Sequence, residues 1–306
     1  MPLHYHAGQL AVQAEANTRI LADRMANWVG PAADFALGAD LLLFSHLTPV
    51  GDISFIAVFG PPPLVETAGS GYLRIPAAVG VLPTGPVGGL AINLSQARRV
   101  RLNGVVESAP DGPELNLAEV FTLCRKYLAP SIGIGEATHT GPDARVAVAA
   151  DEPALIRLVA GTETMFLATV APDGAPDVAY RGGPVGFLAY DAVSHANAWS
   201  EFIGDGVFKS AGNLRATNRF TVLIPDLETG DAYELVGHGD YENERVLRRE
   251  REDPLEQHRD PYPPQGRVTG TVERVLRLSG FMRPRGHLDA TIKVTSNSHV
   301  DLQAPQ

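Results

Sequence analysis

The sequence predicts a mainly β protein with flanking helices (α+β), built as two related units in tandem. The 31 glycines and 24 prolines among 306 residues indicate many turns, and therefore many short strands. Apolar, partly β-branched runs alternate with Gly/Pro turns along most of the chain, which is typical of antiparallel strands in a small barrel. One turn pattern also occurs twice, which indicates an internal duplication.

The clearer copy of this pattern is a predicted β-hairpin. Met165 to Val170 is an apolar run of strand length, and Pro172-Asp173-Gly174 has the composition of a turn. The return strand, Asp177 to Tyr180, leads into Arg181-Gly182-Gly183-Pro184. Because two glycines let a ligand approach the backbone beside a cationic side chain, this place would suit a phosphate. A tight turn with a surface arginine is the alternative.

The weaker copy lies about 123 positions upstream, an offset that indicates two related β-units. Leu41 to Phe44 is again an apolar run, Pro49-Val50-Gly51 is the turn, and Gly60-Pro61 stands where Gly183-Pro184 stands. Val58 occupies the position of Arg181. If the arginine holds an anion, the second unit is the better candidate for the working site.

The length is sufficient for two domains, each with its own core, and we predict units at residues 1–144 and 145–306. The linker between them is predicted at Ala129 to Ala144, which is rich in Gly, Thr and Pro. Predicted helices are Thr18–Val29, Leu115–Leu128 and Asp151–Val159. Further predicted strands are Ile53–Phe59, Tyr72–Ile75, Gly89–Leu94, Arg99–Val106, Ala198–Phe202, Phe220–Ile224, Tyr233–Val236, Val268–Leu278 and Ala290–Val294.

Composition excludes several classes of protein. A net charge of −10 argues against a surface for nucleic acid or anionic membranes. The single cysteine, Cys124, cannot form an intrachain disulfide or a site built on several thiolates. We find no signal peptide and no run long enough to span a bilayer, so a cytoplasmic location is expected.

A second cationic cluster, Arg98-Arg99-Val100-Arg101, precedes the turn residues Asn103-Gly104. Arg99 and Arg101 share one face of a predicted strand, so this cluster would form an anion site, an interface, or a solvated strand end. The histidines form no convincing metal set, and no metal site is predicted. Nucleophile-elbow, phosphate-loop, zinc-protease and dinucleotide-fingerprint motifs are absent from the sequence.

These motifs resemble the FMN-binding split-barrel proteins related to pyridoxamine 5'-phosphate oxidase, in a two-unit form. The resemblance covers most of the chain. In the second half it rests on 166–188, Phe202-Ile203-Gly204 and Ser210-Ala211-Gly212-Asn213-Leu214, and in the first half on Tyr5 to Gln13, Gly60-Pro61-Pro62, Arg98 to Gly104 and Cys124-Arg125-Lys126-Tyr127.

The resemblance implies two tandem six-stranded split barrels that pair face to face, within a chain or in a homodimer, with FMN at the interface. The function it implies is hydride transfer through the flavin to or from a small molecule, with catalytic residues unassigned. It assigns the flavin and its phosphate to Val178, Ala179, Tyr180, Arg181, Gly182, Lys209, Ser210 and Asn213.

Two alternatives stay open. One is a flavin-free barrel pair that binds another ligand or serves as a scaffold, favoured by Val58 and by Asp205, whose carboxylate would repel a phosphate. The other is heme or deazaflavin F420 in the same groove, served by His195 or His238. Arg181 and Gly212-Asn213-Leu214 favour the flavin.

Overall fold

The computed structural model describes residues 3–26, 33–69, 71–77, 79, 82–93, 96, 98–124, 126–127, 139–142, 144–244 and 261–281. Within these residues the fold is mainly β, with two antiparallel sheets and a few short helices. Each sheet has eight strands, which is two more than the six predicted for each unit. The predicted fold class is confirmed.

The first sheet belongs to the first half of the chain, and its strand order is β3-β4-β7-β6-β5-β1-β2-β8. Its strands are β1 (Leu41–Leu47), β2 (Ile53–Phe59), β3 (Glu66–Thr67), β4 (Tyr72–Arg74), β5 (Gly85–Asn93), β6 (Arg98–Glu107), β7 (Glu114–Thr122) and β8 (His139–Thr140).

The second sheet has the order β11-β10-β14-β15-β16-β13-β12, with β9 paired to β16. Its strands are β9 (Ala144–Val148), β10 (Thr164–Val170), β11 (Pro176–Gly182), β12 (Leu188–Tyr190), β13 (Ala196–Phe202), β14 (Arg219–Pro225), β15 (Ala232–Glu242) and β16 (Pro264–Ser279).

The two sheets repeat one topology. Read from β2 and from β11, seven strands follow one another in the same order, and the β1/β2 and β10/β11 hairpins have the same register. Leu41 pairs with Phe59 in the first hairpin, and Thr164 pairs with Gly182 in the second. The duplication predicted from the turn pattern is therefore confirmed, and Val58 is the counterpart of Arg181.

The helices are α1 (Ala7–Glu15), α2 (Arg19–Ala26), α3 (Pro153–Gly161) and α4 (Lys209–Thr217), with a 3-10 helix at Ala33–Gly38. Helix α1 was not predicted, and it begins with a capping box. The imidazole of His6 accepts from the Gly8 amide, and the Gln9 side chain accepts from the His6 amide.

The helix predicted over Leu115–Leu128 is wrong, because β7 occupies Glu114–Thr122. Leu115 and Leu117 are buried while Asn116 between them is half-buried, which is the alternation of a strand. The same apolar residues also satisfied helical spacing, so pairing with β6 decides the conformation. Most of the predicted linker, the strand Ala290–Val294, and 27–29 of the first predicted helix lie outside the described residues.

The two units pair within one chain through a shared apolar core. Residues of β1, β2 and β5, such as Leu43, Phe55 and Leu90, pack in one cluster with residues of β10, β11 and β14, such as Phe166 and Leu223. Each unit also has a core of its own. The interface is therefore continuous with the protein interior.

Helix α1 crosses this division, because it packs against α4 of the second unit. A Cβ added at Gly212 of α4 would lie 2.4 Å from the Cα of Gln9, so the helices touch through their backbones. The division at residues 144 and 145 stays a prediction. None of the described helices is long and apolar enough to cross a membrane.

Candidate functional site

A polar cleft opens between the two units, and we call it the Arg99 cleft. The first unit contributes the start of β6 and the segment after β7, and the second contributes the end of β11, β13 and the loop before α4. The space available to a ligand is about 110 Å³, and the cleft measured out to bulk solvent is about 770 Å³. Its principal lining residues are Arg99, Arg101, Cys124, Lys126, Tyr127, Tyr180, Arg181, Gly182, Glu201, Phe202 and Asp205.

Arg99 is a deeply buried cation in this lining, with 6% of its surface exposed. Its Nη2 donates to the carbonyls of Cys124 and, at 2.8 Å, Lys126, and its guanidinium lies 4.8 Å from the centre of the Tyr180 ring. Its Nε is buried without a hydrogen-bond partner among the described residues. Among the residues that the structure describes, no carboxylate forms an ion pair with Arg99.

The electrostatic state of Arg99 follows from this burial. Burial lowers the pKa of its guanidinium from the ordinary value, and the nearby Arg181 acts in the same direction, while Tyr180, Cys124 and Asp205 partly oppose them. A buried cation with an unpartnered N–H group is costly unless an anion compensates it. An anionic group in the cleft would supply that compensation.

Arg101, two residues along β6, is held by an ion pair between the units. Its Nη1 donates to both carboxylate oxygens of Asp177 at 2.7 Å, and Asn103 donates to the same carboxylate at 3.0 Å. The Nε of Arg101 has no hydrogen-bond partner among the described residues. Arg101 therefore brings a buried guanidinium group to the cleft, with its charge paired to Asp177.

Arg181, the central residue of the sequence prediction, lines the cleft and has an internal partner. Its Nε donates to Glu201 at 2.6 Å, and the indole of Trp199 donates to the same oxygen at 2.9 Å. Burial acts to lower the pKa of Arg181, but the charge and hydrogen bond of Glu201 outweigh it, so the pKa is raised. A phosphate at Arg181 would have to compete with Glu201.

The predicted residues on α4 are likewise engaged within the chain. The Nζ of Lys209 lies 2.6 and 2.7 Å from the carboxylate oxygens of Glu119 in the first unit. Ser210 donates to Asp177 at 3.3 Å. Asn213 accepts from Gln9 at 3.0 Å, lies 2.8 Å from the imidazole of His6, and donates to Thr169 at 3.0 Å. These three side chains link elements of the fold.

Of the eight predicted residues, Tyr180, Arg181 and Gly182 line the cleft. Val178 lies in the shared core, and Ala179 is buried beside it in β11. The residues that sequence reasoning did not assign to the flavin are those of the first unit, above all Arg99 and Arg101. The signal was present in the Arg98–Arg101 cluster, but the sequence does not show that the start of β6 lies beside β11.

Three aromatic rings form a cluster beside the cleft. The ring centres of Tyr127, Phe202 and Tyr262 are 5.3 to 5.7 Å apart, with the two tyrosines stacked. The hydroxyl of Tyr127 donates to the carbonyl of Ile203 at 3.1 Å. This arrangement joins the segment after β7 to the second unit and gives one side of the cleft an aromatic surface.

The histidines proposed for heme or F420 lie elsewhere. His195 contacts the carbonyl of Val272 at 3.2 Å, and His238 pairs with Glu273 at 3.1 Å. Neither is among the residues that line the Arg99 cleft. Across the described ranges, no three His, Cys, Asp or Glu side chains are grouped as a metal site would require.

The cleft fits the anionic end of a phosphorylated cofactor better than its ring system. Arg99 and Arg101 bring guanidinium groups to the lining of the cleft, and arginine pairs with phosphate oxygens by charge-assisted hydrogen bonds. The inner space of about 110 Å³ is smaller than the roughly 300 to 1,000 Å³ of typical ligand sites. A larger ligand would therefore occupy the open part of the cleft.

The fold and cleft define a class of protein: a tandem pair of β-units with a cationic cleft between them. No family model and no curated protein matches the chain. Solved structures match single stretches of it. One is a putative pyridoxamine 5'-phosphate oxidase from Lactobacillus delbrueckii, with 18% identity, a TM-score of 0.27, and coverage of 42% of this chain and 93% of that one.

Two other solved structures are similar to this chain to the same degree. An FMN-binding protein from Syntrophomonas wolfei has 14% identity and a TM-score of 0.28, covering 40% of this chain and 81% of its own. HutZ, the heme storage protein of Vibrio cholerae, has 11% identity and a TM-score of 0.28, covering 40% and 92%. At such identities and TM-scores they carry no inference about the ligand of this chain.

Proposed function

We propose that the protein binds a phosphate-bearing small molecule in the Arg99 cleft, and that this molecule is FMN serving a redox reaction on a small substrate. The observation that carries the proposal is Arg99, a buried guanidinium whose Nε faces no partner among the described residues. The sequence resemblance supplies the choice of FMN among phosphate-bearing ligands.

Residues of both units would hold the ligand. Arg99 and Arg101 would bind the phosphate from the first unit, and Tyr180 keeps the Arg99 guanidinium in place from the second. The aromatic cluster of Tyr127, Phe202 and Tyr262 would bound the open side, where a planar ring gains from stacking. When bound, the flavin supplies hydride exchange, and the chain supplies position and charge.

A second candidate is a flavin-free protein that binds another small anion or acts as a scaffold. It is favoured by the internal pairing of the predicted phosphate residues, since Arg181 and Lys209 each carry a carboxylate partner. Homodimer formation stays a prediction in either case, because the face-to-face pairing of units already occurs within one chain.

The experiment that tests the proposal is an absorbance spectrum of the purified full chain, followed by fluorescence titration with FMN and with riboflavin. We expect FMN to bind and riboflavin, which lacks the phosphate, to bind at least about tenfold more weakly, since a charge-assisted hydrogen bond contributes about 1.5 to 3 kcal/mol. Equal affinity for both would remove the phosphate from the Arg99 cleft. Failure of both to bind would favour the flavin-free candidate.

A further inference from the structure

We propose that each chain binds one anionic ligand, at the Arg99 cleft, because the equivalent cleft on the opposite side of the pseudosymmetric pair is filled by the chain's own residues. We call that place the second cleft. It consists of the residues of β2 and β15 that correspond to β11 and β6. The inference rests on the proposed function, which supplies the anion.

The correspondence between the two clefts follows from strand register. Strands β6 and β15 occupy the same place in their sheets, and each has one irregularity in its ladder, between Asn103 and Gly104 and between Val236 and Gly237. When Gly104 is matched to Gly237, the residues of β6 that precede Gly104 align without a gap with the residues of β15 that precede Gly237. The duplication therefore gives each lining residue of β6 one counterpart.

The counterparts on β15 have lost the positive charge. Arg99 pairs across its sheet with Ile92, and in the matching place Ala232 pairs with Pro225. Arg101 pairs with Leu90, and Glu234 pairs with Leu223. The second cleft thus has a methyl group and a carboxylate where the Arg99 cleft has two guanidinium groups.

The counterparts on β2 fill the space. Val58 corresponds to Arg181 and Phe59 to Gly182, and both are buried. Phe281, fully buried after β16, belongs to the same shared core as Phe59. Phe59 therefore places a buried aromatic side chain where Gly182 has none, and a Cβ added at Gly182 would clash with the carbonyl oxygen of Tyr127.

An additional strand covers the same edge. β8 pairs with β2 at Val58 and Phe59. β11, the counterpart of β2, is the edge strand of its sheet in the described structure, so its end faces the Arg99 cleft. The extra strand exists in only one of the two units and closes the second cleft.

The second cleft also contains a buried acidic side chain in the place of Arg101. The carboxylate of Glu234 is fully buried and accepts from Ser54 at 3.0 Å, from the Phe55 amide at 2.9 Å and from Arg145 at 3.2 Å. Arg145 is thereby engaged by Glu234 and also donates to the Phe55 carbonyl at 2.7 Å. These contacts tie Arg145 to the buried carboxyl group of Glu234 in one structural cluster, in which the Nε of Arg145 has no hydrogen-bond partner among the described residues.

The test is an anomalous-scattering experiment on crystals of the full chain soaked in tungstate, a phosphate-shaped oxyanion. We expect one tungstate per chain, beside Arg99, and none beside Glu234. Tungstate at both places would overturn the one-site inference while leaving the proposed anion site intact. Absence of tungstate beside Arg99 would overturn the anion site and this inference with it.

A matched pair of variants tests whether the tungstate peak depends on Arg99 or on packing between molecules in the crystal. Arg99→Ala gives the Arg99 cleft the residue of the second cleft, and it should abolish the tungstate peak. Arg98→Ala is the control, because Arg98 lies over the ring of Phe35, 4.9 Å from its centre, and does not line the cleft. Retention of the peak in Arg99→Ala, or its loss in both variants, would contradict a site formed by Arg99.

Discussion

Arg101 of the first unit and Asp177 of the second form a buried ion pair, with Nη1 2.7 Å from both carboxylate oxygens. The pseudosymmetric counterpart is the contact of Glu234 with Ser54, in which the serine hydroxyl is uncharged. The two units therefore share a polar contact at the same position, between β6 and β11 and between β15 and β2. The residues that make the contact carry different charges in the two places. Only the first of these contacts leaves cations beside a cleft.

Removal of Asp177 tests whether this ion pair stabilises the fold. Asp177→Ala leaves Arg101 buried without its carboxylate, so we expect the free energy of unfolding in urea to fall by about 3 to 5 kcal/mol. The double variant Arg101→Leu/Asp177→Leu removes both charges and should recover part of the loss. A double variant less stable than the single variant would contradict this account.

The buried carboxyl of Glu234 predicts a pH dependence of stability. Burial raises its pKa from the ordinary value of 4.5, although Arg145, the Phe55 amide and Ser54 act in the opposite direction. A raised folded-state pKa means that the folded protein retains this proton to higher pH than the unfolded chain. The stabilisation it gives is complete below pH 4.5 and is lost as the pH rises through the folded-state value.

Glu234→Gln removes this titration while keeping the shape and an acceptor oxygen. We therefore expect the unfolding free energy of Glu234→Gln minus that of the native chain to increase as the pH is raised above 4.5. Urea unfolding at a series of pH values measures the difference. A constant difference would show that folding does not shift this pKa, and a difference that decreases with pH would show that the ionised carboxylate is favoured in the fold; either result contradicts the prediction.

Backbone contact between α1 and α4 predicts a strong effect of one methyl group. In Gly212→Ala the new Cβ would lie 2.4 Å from the Cα of Gln9, so α1 must shift and the variant should lose about 1 to 3 kcal/mol. Gly161→Ala, at the end of α3, is the control, since no atom lies within 4 Å of its added Cβ. Urea unfolding and hydrogen exchange of the α1 amides would report the difference; equal stability of both variants would refute the close contact.

Competition between Glu201 and a ligand predicts opposite effects of two variants. Arg181→Ala should weaken FMN binding by about 1.5 to 3 kcal/mol if Arg181 contacts the phosphate. Glu201→Gln should strengthen it, because the 2.6 Å ion pair no longer neutralises Arg181. Fluorescence titration measures both dissociation constants. If neither changes, Arg181 and Glu201 form a structural pair outside the ligand site.

Strands could be predicted where local chemistry decides them. Strands at Met165–Val170 and Leu41–Phe44 were predicted from apolar runs followed by turn residues, and the structure places β10 and β1 there. The region after Leu115 was wrongly predicted as a helix, because its apolar spacing satisfies both a helix and a strand. Helix α1 was not predicted. It packs on α4 at Gly212, which is distant in the sequence, so local sequence patterns do not show this contact.

The sequence by itself determined the β-rich class, the duplication and the loss of the arginine at Val58. Tertiary structure decided which cations are available to a ligand. The pairing of Arg181 with Glu201 and of Lys209 with Glu119 depends on strand crossings between distant residues, as does the position of Arg99 beside Tyr180. The sequence shows which residues are charged. Whether a charge is neutralised depends on which oppositely charged groups the fold brings within a few ångströms of it.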